Sequence, residues 1–133
     1  MRSIASVPTQ RPTRYGKQLV SHMGRKIIGS WDGESGHLDF NGGGDVRLSC
    51  QDESLTLELT CAEEDIDRLE QVVGSHLARF GSKDAMKVAW EREDGTDGSV
   101  QGPYSEADMQ AHAEAKKARL AAQAASGSAT KEA

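Results

Sequence analysis

Between Ile66 and Trp90 the spacing of apolar residues changes period. Ile66, Leu69, Val73, Leu77 and Phe80 recur at steps of three and four, and Met86, Val88 and Trp90 then alternate. The first pattern predicts an amphipathic helix, the second a half-buried strand, with Gly81 to Asp84 turning between them. Glu63, Glu64 and Asp65 place negative charge in the helix's first turn, where the helix dipole favours it. Upstream, four short runs are bounded by turn residues: Lys26 to Asp32, His37 to Phe40, Asp45 to Gln51 and Ser54 to Cys61. Leu38, Phe40, Val46, Leu48, Cys50, Leu55, Leu57, Leu59 and Cys61 define an apolar face. His37, Asp39, Arg47, Ser49, Thr56, Glu58 and Thr60 alternate with them. Short connections between such runs make an antiparallel meander with one face packed and one in water.

Ahead of the meander, Tyr15, Leu19, His22 and Met23 fall on one helical face. Pro12 suits the first turn of that helix and Gly24 its end. Gly16 weakens it, so packing has to hold it in place. Residues 1–8 read as a frayed lead-in with a short extended piece around Ile4 to Val7, and Glu93 to Pro103 as a Gly-, Asp- and Ser-rich linker. Ser105 and Asp108 match a capping box, but the helix they would open, to about Ala125, has only Met109 and Leu120 as large apolar residues. The fold predicted is α+β: an antiparallel meander of about five strands with two helices on one face, in the order α-β-β-β-β-α-β. The expected organisation is a single domain over 1–92 and a flexible or partly helical tail over 93–133. The fifth strand, Ala85 to Arg92, is expected beside the run Lys26 to Asp32, in the spatial order 5-1-2-3-4. The competing topology sets it parallel to the fourth strand.

Composition changes this picture little. At 133 residues and 36% hydrophobic the chain supports one core. No window offers the roughly 20 apolar residues of a membrane span, and no signal-peptide core opens the chain, so a cytoplasmic location is expected. Charge is less even. The net charge is −5, yet residues 1–31 hold Arg2, Arg11, Arg14, Lys17, Arg25 and Lys26 and no acidic side chain. This basic segment either lies against the acidic stretch Glu63 to Asp67, or is solvated, or meets an anionic partner. Nucleic-acid binding is not expected, because no aromatic stacking surface accompanies the basic residues.

The chemistry-bearing residues are few. Ser21-His22-Met23-Gly24-Arg25 is echoed by Ser75-His76-Leu77-Ala78-Arg79, with each histidine within its helix's apolar arc and an arginine a turn later. Two readings stand. If the helices lie side by side, these residues line one pocket with donors for an anion; alternatively, each imidazole bonds a backbone carbonyl at the core's edge while the arginines reach solvent. A metal is not expected, since two histidines need further ligands that the sequence does not place. Cys50 and Cys61 sit too far apart along the Cys50/Leu55, Leu48/Leu57 register for a disulfide. Asn41-Gly42-Gly43-Gly44 reads as a turn, and no nucleophile–base motif or cofactor fingerprint occurs.

Arg14-Tyr15 with Leu19 and His22, Leu38-Asp39-Phe40 followed by glycines, and Leu69-Glu70, Val72-Val73, His76-Leu77 and Arg79-Phe80 before Trp90 resemble the bacterial domain-of-unknown-function family 2218 over roughly residues 5–92. The resemblance implies a small α+β domain without an assigned activity. It also implies a context beside flavin-containing siderophore-interacting proteins and iron uptake. Arg14, Tyr15, His22, His76 and Arg79 are the family-pattern residues least explained by packing. The leading expectation is therefore a small-molecule binding or accessory domain taking a siderophore or other small anionic ligand. One alternative is an interaction module docking on a siderophore-interacting reductase or transporter; another is a small enzyme.

Overall fold

The computed structural model describes residues 1–132, with side chains to Ala122; Ala133, the last residue of the expected tail, lies outside the described residues. The chain begins with a strand, not a frayed lead-in. β1 (Arg2–Pro8) alternates exposed and buried residues, with Ser3, Ala5 and Val7 inward. It pairs along its whole length with β5 (Ser54–Thr60), Arg2 opposite Thr60 and Pro8 opposite Ser54. Small inward residues hid this strand from a hydrophobicity pattern. They suit a central position, where helices press close against the sheet.

α1 (Pro12–Met23) begins and ends as expected, with Pro12 in its first turn and Gly24 at its C-cap. It buries Tyr15, Leu19, Val20 and Met23. Gly16 has a packing reason: a Cβ there would stand 2.7 Å from Trp31 Cη2 and 3.3 Å from Leu55 Cδ1. The meander follows as β2 (Ile28–Trp31), β3 (Ser35–Asp39), β4 (Asp45–Cys50) and β5, every neighbour antiparallel. Cys50 faces Leu55 and Leu48 faces Leu57, as the alternation requires. Both cysteines are free thiols, Cys61 buried and Cys50 half-buried.

A short 3-10 turn, Glu63–Asp65, leads into α2 (Ile66–Phe80), which buries Ile66, Leu69, Val73, Leu77 and Ala78. A second such turn, Ser82–Asp84, leads to β6 (Val88–Arg92). β6 does not join β2. It pairs antiparallel with β1, Ser3 opposite Arg92 and Ala5 opposite Trp90, so β1 lies between β5 and β6. Pairing continues past Arg92: Asp97–Gln101, expected as linker, forms β7 against β6 across an irregular register. The sheet thus has seven strands, in the order β2-β3-β4-β5-β1-β6-β7, against the five-strand order 5-1-2-3-4 expected. Once β1 is a strand, it occupies the edge at which β6 arrives, which removes both topologies anticipated.

α1 covers the β2 to β5 half of one face and α2 the β6 and β7 half. Between them and the sheet, Leu19, Leu38, Leu48, Leu55, Leu57, Leu59, Leu69, Leu77 and Met86 are buried. α3 (Glu106–Glu132) is a third helix, opened by the expected capping box: Asp108 N–H donates to Ser105 Oγ at 3.1 Å, and Ser105 N–H to Asp108 Oδ2 at 3.0 Å. Through Ala122 its side chains are exposed except Met109. No helix of the described residues is long and apolar enough to cross a membrane.

Candidate functional site: a cationic seam between the helices

α1 and α2 touch near their C-terminal ends, the last turn of α1 against the last turns of α2. There the His22 and His76 rings stand 5.1 Å apart, tilted by 43°, and His22 meets Phe80 edge to face at 5.3 Å. The sequence echo therefore does bring the two histidines together, although not inside the core. His22 is exposed and His76 half-buried, because the final turn of α1 faces α2 at the rim and leaves Leu19 and Met23 to meet the sheet.

His76 Nδ1 donates to Val72 O at 2.6 Å, since a carbonyl only accepts; this assigns the proton to Nδ1 and leaves Nε2 free in the neutral ring. His22 makes no side-chain hydrogen bond among the described residues. Partial burial first, then the neighbouring His76, Arg25, Lys116 and Arg79, hold its proton affinity below that of an ordinary imidazole.

Arg79 is half-buried, and among the described residues it forms no ion pair and no hydrogen bond. Burial lowers its proton affinity, while Tyr104 opposes that effect. It forms one wall of a cavity of about 130 Å³ whose other walls are Tyr104 and, from α3, Asp108, Met109 and His112. His112 is held below the ordinary histidine value, chiefly by Arg79 and then by slight burial and by Lys116, Arg119 and His76.

The five residues singled out from the sequence do not form one site. Tyr15 lies two helical turns from His22, about 10 Å along the axis at 1.5 Å per residue. It is buried, and its hydroxyl donates to Asp84. Burial foremost, and then Asp84, raise its pKa. Arg14 is exposed on the outer side of α1. His22, His76 and Arg79 remain as the cluster, joined by His112 and Lys116 from a helix in which sequence patterning finds no apolar stripe.

Sequence reading also passed over a buried polar knot. Glu70 accepts bonds from Ser3 Oγ (2.6 Å), Arg92 Nε (3.0 Å) and Nη2 (2.9 Å), and Ser99 N–H (3.0 Å) and Oγ (2.8 Å). Beside it, Trp90 Nε1 donates to Gln101 Oε1 at 2.7 Å, and Gln101 Nε2 to Ser99 Oγ at 2.8 Å. A carboxylate four residues after Ile66 and within the apolar arc was the available signal. With every bond made internally the knot has nothing to offer a ligand; it fastens β1, β6 and β7 to α2. On the open sheet face, His37 bonds Asp45 at 3.0 Å, a partner that sequence spacing did not disclose. No three His, Cys, Asp or Glu side chains of the described residues come together in a metal-ligating group.

Architecture and site define a small α+β domain: a seven-stranded antiparallel sheet with α1 and α2 on one face and a histidine- and arginine-bearing seam where their ends meet. The chain belongs to the family of uncharacterised proteins conserved in bacteria designated DUF2218, whose model matches residues 4–91. It is similar to PA4090 from Pseudomonas aeruginosa, solved by NMR, with 27% sequence identity and a TM-score of 0.58 over 74% of this chain and 98% of that one. No curated protein matches it.

Proposed function

We propose that the chain is a non-catalytic binding or accessory domain that takes a small, oxygen-rich anionic ligand at the seam of His22, His76 and Arg79. The observation that carries this reading is the pairing of two imidazoles beside a guanidinium that has no carboxylate partner among the described residues. Arginine and imidazolium N–H groups are matched donors for carboxylate, hydroxamate or catecholate oxygens. The finer reading takes the ligand as a ferric or iron-free siderophore and the setting as cytoplasmic iron metabolism, following the family context. Titrating the protein with catecholate, hydroxamate and carboxylate siderophores while recording histidine NMR shifts tests it. Saturable movement of His22 and His76 is expected; stationary resonances at millimolar ligand refute the reading.

A second reading is a module that docks on a flavin-containing siderophore-interacting reductase or transporter. Supporting it, Arg14 and Lys17 on α1, and Arg11 just before it, are exposed and make no ion pair among the described residues. Capture of a flavoprotein that is lost on changing Arg14→Glu and Lys17→Glu together is the expected result; capture that survives the reversal, or no capture at all, overturns it.

A further inference from the structure

The third helix bears on the same seam. We propose that α3 is the second half of the anion site: His112, with Lys116 a turn beyond it, closes over Arg79, beside His76 and His22, when a carboxylate or phosphate group occupies the cavity that Arg79 and His112 line. This inference rests on the anion-binding reading above and adds to it the residues and the movement that complete the site.

Three observations carry it. Arg79 on α2 and His112 on α3 line one cavity of about 130 Å³. A single water needs only about 10–15 Å³ of such space, so a group the size of a carboxylate or phosphate fits. Second, basic groups outnumber acidic ones around the cavity. From α1 come His22 and Arg25, from α2 His76 and Arg79, and from α3 His112, Lys116 and Arg119, each close enough to alter a neighbour's protonation. Asp108 is the acidic residue on the wall, and its Oδ2 already accepts the Ser105 amide. Arg25, Arg79, Lys116 and Arg119, gathered from three elements of a protein with net charge −5, repel one another, and an anion among them relieves that repulsion.

Third, among the described residues α3 has little else to hold it down. Tyr104 and Met109 are half-buried at its start, whereas Leu120, its other large apolar residue, is 52% exposed. An anion bridging Arg79 and His112 supplies the attraction that apolar burial does not.

The test uses the full chain with citrate and with inorganic phosphate as probes, at ionic strength matched with chloride. The expected result is that His22, His76 and His112 resonances move with one dissociation constant, and that amide exchange over residues 106–116 slows at least fivefold at saturation. Changing His112→Gln and Lys116→Gln together, both exposed positions whose loss leaves the melting curve unchanged, weakens citrate binding about tenfold. If His22 and His76 respond to citrate or phosphate while His112, α3 exchange and the double variant do not, the role of α3 is overturned and the anion-binding reading stands. If none of the three histidines moves beyond the chloride control, both fall.

Discussion

Replacing Glu70 by Ala removes the one carboxylate that joins α2 to three strands. Glu70 is fully buried and accepts five hydrogen bonds, two of them from Arg92, whose side chain is only 15% exposed. Breaking a buried ion pair from one side costs about 3–5 kcal/mol, because the remaining charge keeps its desolvation and loses its partner. Arg92 also reaches Asp67 at 3.4 Å and is partly hydrated, which favours the lower end, about 3 kcal/mol. For a domain of this size that lowers Tm by roughly 10–15 °C.

Acidification reports on the same group. Burial raises the proton affinity of Glu70, but the bonds from Arg92, Ser3 and Ser99 outweigh it and leave the carboxyl below its ordinary value of 4.5. A carboxylate with a depressed folded-state pKa contributes stability that is fully present above the unfolded value and is lost as pH falls through the folded one. Urea unfolding followed by tryptophan fluorescence at pH 7, and at steps from pH 5 downward, measures both effects. The wild type should lose stability on acidification more steeply than Glu70→Ala. A pH 7 difference below about 1 kcal/mol, the value of an exposed pair, together with parallel acid profiles, would refute the reasoning.

Gly74→Ala places a Cβ onto the Gln101 carboxamide, 2.6 Å from its Cδ, so the Trp90–Gln101–Ser99 chain must shift; a loss of about 1–3 kcal/mol in urea unfolding is expected. Tyr15→Phe removes the donor to Asp84 and should cost about 1 kcal/mol. In the wild type the phenol of Tyr15 should titrate above 10.0 in ultraviolet difference spectra. For His22 and His112, NMR titration midpoints below 6.5 are expected. A histidine whose folded pKa is lowered is most stable neutral, so any stability these residues contribute is present above pH 6.5 and falls with acidification, and Arg79→Gln should raise both midpoints.

The meander, both core helices and their boundaries were legible because each element announces itself by period: the 66/69/73/77 stripe in α2, the 46/48 and 55/57/59 alternations in β4 and β5. β1 was not, because its inward residues include Ser3 and Ala5, and the reason Ser3 belongs inside is Glu70, 67 positions away. β7 was hidden by Gly98 and Ser99, which read as loop residues until Ser99 is seen capping that same carboxylate. Missing β1 then misplaced β6, since the strand order follows from which edge is free.

At the site, the repeat of Ser-His-x-x-Arg left two readings open, and each is met in part: the His22 and His76 rings are neighbours, and His76 also bonds a backbone carbonyl, Val72 O. A helical wheel shows which residues share a face, but not whether that face meets the sheet or another helix, so it placed both rings too deep. Tyr15 was drawn into the site by sharing the face of α1 with His22. Its polar end is satisfied by Asp84, in a turn whose contact with α1 no spacing rule reveals. The contribution of α3 was illegible for the opposite reason: His112 and Lys116 lie on a helix with no apolar stripe, and only its placement in space gives them a role.

If the seam of His22, His76 and Arg79 is an anion site, its histidines report the bound charge directly. The pH midpoint of His22, measured by NMR with and without saturating citrate at constant ionic strength, tests it most directly. Bound anion should raise the midpoint above its ligand-free position, because burial lowers it first and the neighbouring His76, Arg25, Lys116 and Arg79 lower it further, and a negative group beside His22 offsets those positive neighbours. A midpoint that does not move with citrate would contradict the claim.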